Sequence, residues 1–275
     1  TQEWSNGRVG LNGISYLAMN QWQVAALRPP HLKAMCVWEG AADYYRDMAH
    51  HGGIMCTFSR AWYGPYVVIM QNGLGSKGEH SSMTNDWVSG PETLTSEELA
   101  ANRSDWHADL VDNTLATDEF WTSRLPDFSQ IEVPLLSAAN WGGQGLHPRG
   151  NFEGFLASAS EEKWLEVHGL EHWTHFYTDY GVALQRRFFD YFLKDENNGW
   201  SQQPRVQLQI RHPGEIFEER HENEWPLART NWSKFYLDTE QLSFSSEPLE
   251  ELTQTIYGGF SDGVTFLSPP LDQST

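Results

Sequence analysis

Acyl-transfer chemistry needs a nucleophile, a base and a carboxylate. This chain offers a serine behind a glycine, a cluster of histidines, and a few acids near strand ends. Ser15 lies in V-G-L-N-G-I-S-Y-L-A-M-N-Q-W. Val9 and Leu11 alternate with small or polar residues, as in a short strand. From Tyr16 onward Leu17, Met19, Trp22, Ala25 and Ala26 recur at helical spacing. A strand that enters a helix through G-x-S holds a serine oxygen exposed on a strained turn, and Gly13 permits an approach that a side chain would block. Leu17 stands where a second glycine is usual. His168, His172 and His175 share the segment H-G-L-E-H-W-T-H, and an imidazole within reach of a serine hydroxyl can take its proton. The same histidines have no cysteine and only Glu171 beside them, a poor metal set. No metal or cofactor is expected.

The elements around these residues read as an α/β fold. Leu32–Trp38, bounded by Pro30 and Gly40, is a short apolar run suited to a buried strand. The opening is therefore strand, helix, strand, the unit of a parallel sheet. Ligands of such sheets gather beyond the carboxyl ends of the strands, where Ser15 and Glu39 both fall. Residues 43–126 change texture to aromatics, glycines and short helical patterns, read as a helical cap inserted into the sheet domain. Thr95 or Ser96 is the expected cap of a helix there. The loop N-G-L-G-S-K-G lacks the Lys-Ser/Thr ending and the preceding strand of a phosphate loop, and reads as a connector.

The sheet pattern resumes at Ile131 with V-P-L-L-S-A-A-N, then a helix from N-F-E-G-F-L, then the strand K-W-L-E-V-H. An amphipathic helix follows from about Tyr180. Beyond Pro204 the period becomes two, as in R-V-Q-L-Q-I-R, which predicts half-buried antiparallel strands of a second, all-β domain. N-E-W-P-L, W-S-K-F-Y-L-D and G-V-T-F-L-S-P-P-L are further expected strands, and S-F-S-S-E-P-L-E-E-L a solvated loop. The expected division is 1–42 and 127–200 for the sheet domain, 43–126 for the cap and 201–275 for the β-domain.

The 275 residues are 39% hydrophobic and 13% aromatic, enough for a sizeable core. A formal charge of −19 argues against nucleic acid, whose phosphates require clustered Lys and Arg. Cys36 and Cys56 are the only cysteines and read as reduced thiols. No stretch approaches a membrane span, and the first residues lack a signal-peptide layout. A cytoplasmic compartment is favoured, and a homo-oligomer is left open.

Serine first and histidine last, with an insertion between, is the order of α/β-hydrolases. The segments G-I-S-Y-L, P-H-L-K-A, D-Y-Y-R-D, V-P-L-L-S-A-A-N-W, H-W-T-H, F-F-D-Y-F-L-K and L-S-P-P-L resemble the X-prolyl dipeptidyl-peptidase and cocaine-esterase (CocE/NonD) family of serine hydrolases. The resemblance touches nearly every part of the chain. It implies an α/β-hydrolase sheet without its first strands, a helical cap, and the start of a C-terminal jelly-roll, so that the chain reads as a fragment. It matches Ser15 to the nucleophile and His175 to the base, with His172 at the family's proline position and His168 within the strand. The backbone N–H of Tyr16 is one expected oxyanion donor. The family's second donor, a tyrosine, falls in the missing region.

The acid departs from the family pattern, because Gly143 in N-W-G-G stands where the aspartate belongs. Glu39, closing the neighbouring strand, is the candidate, with Asp43 and Glu153 as alternatives. Asp43 could equally pair with Arg46, and Glu153 could be a helix-surface charge. The implied chemistry is cleavage of an acyl ester or an X-Pro dipeptidyl substrate through an acyl-enzyme. The rival is a non-catalytic relative acting as a binding or structural module.

Overall fold

The computed structural model describes residues 2–68, 79–88, 95–143, 145–258 and 263–270. The phosphate-loop candidate N-G-L-G-S-K-G lies outside the described residues. Residues 1–225 and 226–275 form two compact units.

The first unit is built on a six-stranded sheet in the order β1-β2-β5-β6-β7-β8. β1 (Val9–Ile14), β2 (Leu32–Trp38), β5 (Leu135–Asn140), β6 (Lys163–His168) and β7 (Val206–His212) run parallel, and β8 (Ile216–Glu222) closes the far side antiparallel to β7. Parallel strands need crossovers. These are α1 (Tyr16–Ala26), α6 (Pro148–Ala157) and, after the four-residue α7 (Thr174–Tyr177), α8 (Asp179–Lys194), together with the inserted cap.

Both sheet faces are covered, which explains the unbroken apolar run of β2. Its alternate residues divide between the faces. Met35 and Val37 join Ala18, Trp22 and Ala25 of α1, while Ala34, Cys36 and Trp38 join Leu184 and Phe188 of α8 and Trp200. Along β6, Leu165 and Val167 pack with Phe155 of α6. Trp164, which shares its face with Glu166 and His168 by the period of two, packs toward α8. That parity later matters for chemistry. α8 starts on Thr178, whose side chain accepts the Gly181 N–H.

The insertion carries the two-residue strands β3 (His50–His51) and β4 (Ile54–Met55) and the short helices α2 (Phe58–Trp62), α3 (Ser96–Ala101), α4 (Trp106–Asp112) and α5 (Glu119–Thr122). Thr95 caps α3 in a reciprocal pair with Glu98. The cap aromatics make their own core: Tyr45, Leu110 and Trp121 are buried with Tyr44, Trp106 and Phe120 against them. Tyr45 and Trp121 donate to the carbonyls of Thr114 and Asn113, each at 2.7 Å.

Three expectations change here. The boundary expected at 201 moves to 225/226, because β7 pairs with β6 and β8 with β7, extending the first unit's sheet rather than opening a new one. Within the second unit, β9 (Tyr236–Asp238) pairs with β10 (Ser243–Ser245), so the S-F-S-S stretch expected as loop supplies a strand. N-E-W-P-L forms no strand. Among the described residues no helix is long and apolar enough to cross a membrane.

Candidate active site

Parallel register brings the chemistry to one edge. Ile14 pairs with Trp38, Trp38 with Ala138 and Asn140 with His168. Ser15 and Glu39 each stand one residue past a carboxyl end. The Ser15 N–H donates to the Trp38 carbonyl at 3.1 Å and the Glu39 N–H to that of Ala138 at 2.7 Å.

Ser15 occupies φ 61°, ψ −125° immediately before the first turn of α1. A non-glycine residue pays about 1–3 kcal/mol in such a conformation and keeps it only when its surroundings impose it. Gly13 is part of that imposition: a Cβ there would come within 2.7 Å of the Leu17 Cβ. Tyr16 is the first residue of α1, so its N–H is among the donors that helix geometry leaves without an intrahelical acceptor. The positive end of the helix dipole faces the same place.

Glu39 is also held at positive φ, 49°, and is fully buried. One carboxylate oxygen receives His168 Nε2 at 3.0 Å and the other receives His172 Nδ1. Burial would raise this carboxyl, yet the hydrogen bonds and positive charge of His168 and His172 outweigh it and hold it at about 2. The loop behind Glu39 is locked. Asn151 accepts the Gly40 N–H at 2.7 Å and donates to the Val37 carbonyl at 2.8 Å. Asp47 accepts the N–H groups of Ala42 and Asp43 and pairs with Arg149 at 2.6 Å.

His168 ends β6 and is buried there, as expected of a histidine within the strand, while His172 and His175 exchange the places expected of them. Leu170 and Trp173, at φ 66° and 76°, turn the chain after β6 so that His172, not His175, reaches Glu39. His175 makes no hydrogen bond to Ser15 or Glu39. Its Nδ1 is buried without a hydrogen-bond partner among the described residues, and its ring lies against His168 and Tyr180 at centroid distances of 5.0 and 5.7 Å. Burial and then the charge of His168 push its basicity down.

The imidazole within hydrogen-bond reach of the serine hydroxyl is one that spacing along the chain did not single out. His147 Nε2 lies 3.4 Å from Ser15 Oγ, and its ring stacks on His172 with centroids 4.6 Å apart and planes 18° apart. His147 is buried, and burial followed by the charge of His172 lowers it to about 4. It occupies the space beside Gly143, where a Cβ would meet the His147 Cβ at 3.0 Å. A side chain at 143 would crowd this histidine and Pro148, whose Cδ lies 3.2 Å from the same point. No local signal in L-H-P-R-G marks His147.

The alternative acids have structural partners. Asp43 pairs with Arg46, and Glu153 pairs with Arg149 at 3.5 Å on the surface of α6. A cleft of about 500 Å³ opens between the β3–β4 turn and the start of α6, with Asp47 and Arg149 on its wall. Ser15, Glu39 and His172 are not among its lining residues.

A family model described as X-Pro dipeptidyl-peptidase (S15 family) matches residues 1–177. The cocaine esterase of Rhodococcus sp. (strain MB1 Bresler) is 24% identical, the alignment covering 98% of this chain and 51% of that protein. The crystal structure of a CocE/NonD family hydrolase from Staphylococcus aureus is 39% identical with a TM-score of 0.71, covering 91% of this chain and 40% of its own. An aminopeptidase from the marine sediment archaeon Thaumarchaeota archaeon is similar in fold, at 16% identity and a TM-score of 0.55, over 88% of this chain and 43% of its own. The chain thus spans about half the length of the curated relative it matches.

Proposed function

This chain belongs to the X-Pro dipeptidyl-peptidase (S15) family of hydrolases, and from that premise we propose that it carries the centre of a serine hydrolase with Ser15 as nucleophile, His172 as general base and Glu39 as acid. The observation that carries the reading is the Glu39–His172 Nδ1 hydrogen bond, made one strand away from a serine on a strained strand–helix turn. An ionised carboxylate on Nδ1 fixes the tautomer in which Nε2 is free to accept a proton, and stabilises the imidazolium that results. His175, the base expected from the sequence, has no such carboxylate on its Nδ1.

The chemistry rests on these positions. His172 Nε2 takes the Ser15 proton as Oγ bonds to the carbonyl carbon of an ester or amide. The oxygen gains negative charge beside the Tyr16 N–H at the N-terminus of α1. Collapse expels the alcohol or amine with the proton returned from His172, and water repeats the sequence on the acyl-enzyme. The relatives carry both esterase and peptidase names, and either an acyl ester or an X-Pro dipeptidyl substrate suits this mechanism.

A second reading rests on one distance, that from Ser15 Oγ to His147. As a base His147 is weaker on two counts: its buried Nδ1 has no partner among the described residues to set the tautomer, and it is held neutral down to about pH 4. In the full-length protein, His172→Gln should lower p-nitrophenyl acetate turnover by about 10⁴-fold or more and His147→Gln by no more than about tenfold. The reverse order would transfer the base to His147. Fluorophosphonate labelling at Ser15, lost in Ser15→Ala, checks the nucleophile, and failure to label would favour the non-catalytic rival. Comparing p-nitrophenyl acetate with Ala-Pro-p-nitroanilide separates esterase from dipeptidyl-peptidase.

A further inference from the structure

Glu39 does not serve His172 alone. Its other oxygen is occupied by His168, whose second ring nitrogen, Nδ1, is bonded to Glu166 at 2.7 Å. His168 is fully buried and Glu166 nearly so. Both lie on the α8 face of β6 by strand parity, with the indole of Trp38 stacked on the imidazole at 5.1 Å. Glu166 is held in turn by the Tyr180 hydroxyl at 3.2 Å, which receives a hydrogen bond from Gln207 at 2.9 Å. A chain of bonded side chains therefore runs from β7 through α8 and β6 to the end of β2.

We propose that His168 is a positioning residue for Glu39: a buried imidazolium clamped between two carboxylates, which aims the Glu39 carboxylate at His172 and offsets part of its charge. The proposal rests on the assignment of His172 and Glu39 made above, and deepens it. Its geometric basis is donor arithmetic. An ionised carboxylate only accepts hydrogen bonds, so an imidazole bonded to carboxylates through both nitrogens must donate from both, and that ring is protonated. Burial opposes this charge, but Glu166 and Glu39 outweigh burial and raise His168 to about 9. A histidine placed only to fill the core would need neither carboxylate.

The consequence falls on His172. A lone buried carboxylate at Nδ1 would favour the protonated imidazole, which cannot act as a base. The positive charge on His168 counters that pull. The titratable groups facing the pair are few. Glu39 and Cys36 come from β2 and its end, Glu166 from β6, His175 from the turn after β6, Tyr180 from α8, and His147, next to His172, from the loop before α6. Of these only Glu39 and Glu166 supply a carboxylate, and both touch His168.

The experiment is an NMR titration of the full-length protein with ¹³C-labelled histidine, the His172 and His168 signals assigned by substitution. In the wild type His168 should not titrate between pH 5 and 8. In His168→Gln the His172 midpoint should rise by about one pH unit. The double variant His168→Gln/Glu166→Gln, which leaves no unpaired buried carboxylate at 166, should fold and raise the midpoint in the same direction, because the lost positive charge is the nearer of the two. The acid limb of kcat/KM for p-nitrophenyl acetate should move with it, an approximately tenfold loss at pH values below the limb. A His168 that titrates near 6.5, or a His172 midpoint unchanged in both variants, would overturn the proposal. A His172 midpoint that moves while the kinetic limb stays would uphold the role of His168 toward His172 and remove His172 as the base, separating the two claims.

Discussion

Glu39→Gln is the most informative single change. It preserves volume, removes a charge and disturbs two hydrogen bonds whose partners are known. Glu39 accepts from His168 Nε2 on one oxygen and His172 Nδ1 on the other. An amide has one acceptor, and its NH₂ would meet the second N–H head-on. His168, committed to donating at both nitrogens, retains the oxygen. His172 must then turn to the tautomer with Nδ1 bare and the proton on Nε2, the nitrogen that has to receive the serine proton. A wrong tautomer at the base costs about 10⁴-fold in kcat, or roughly 5 kcal/mol of transition-state stabilisation.

Stability should respond as well. A carboxyl held at about 2 in the fold rather than at 4.5 contributes on the order of 3 kcal/mol. Because the folded value is the depressed one, that contribution is complete above pH 4.5 and is lost as pH falls towards 2. Steady-state kinetics with p-nitrophenyl acetate, beside urea unfolding at pH 7 and pH 3, read both effects. Glu39→Gln should lose about 10⁴-fold in kcat, and its unfolding free energy should fall less steeply with acid than that of the wild type. A kcat within tenfold of wild type, in a variant with native near-UV circular dichroism, would refute Glu39 as the acid and the tautomer argument with it.

Ser15→Gly should abolish fluorophosphonate labelling yet raise the unfolding free energy by about 1 kcal/mol, since glycine adopts φ 61° without the penalty borne by serine. Urea midpoints of the two proteins check this, and an unchanged or lowered midpoint would contradict the strain argument. Asp47→Asn removes the carboxylate oxygen that pairs with Arg149 at 2.6 Å, leaving that guanidinium only Glu153 at 3.5 Å, while the amide oxygen can still accept the Ala42 and Asp43 N–H groups, so a loss of about 1–2 kcal/mol is expected by urea unfolding. Its turnover should fall by less than tenfold, because Asp47 supports the loop behind Glu39 without touching the reacting groups.

The sequence alone carried what depends on neighbours along the chain. A glycine two residues before Ser15, helical spacing after it and alternation before it are local features, and the strained turn is a local structure. The apolar run of β2 announced a strand buried on both faces, and the carboxyl-edge rule for parallel sheets put Ser15 and Glu39 at one end of the molecule before any coordinates. What spacing could not decide is which histidine points where. His168, His172 and His175 lie within eight residues, and their directions are set by strand parity at His168 and by the positive φ angles of Leu170 and Trp173 in the turn after β6. His147 was invisible for a related reason: it comes to Ser15 from a loop 132 residues away, through the space that Gly143 leaves open. β7 and β8 were legible as strands but not as members of this sheet, since an alternating pattern specifies a face to bury and leaves the pairing partner to the fold. Local sequence thus determined which residues were able to react, while long-range packing decided which of them meet.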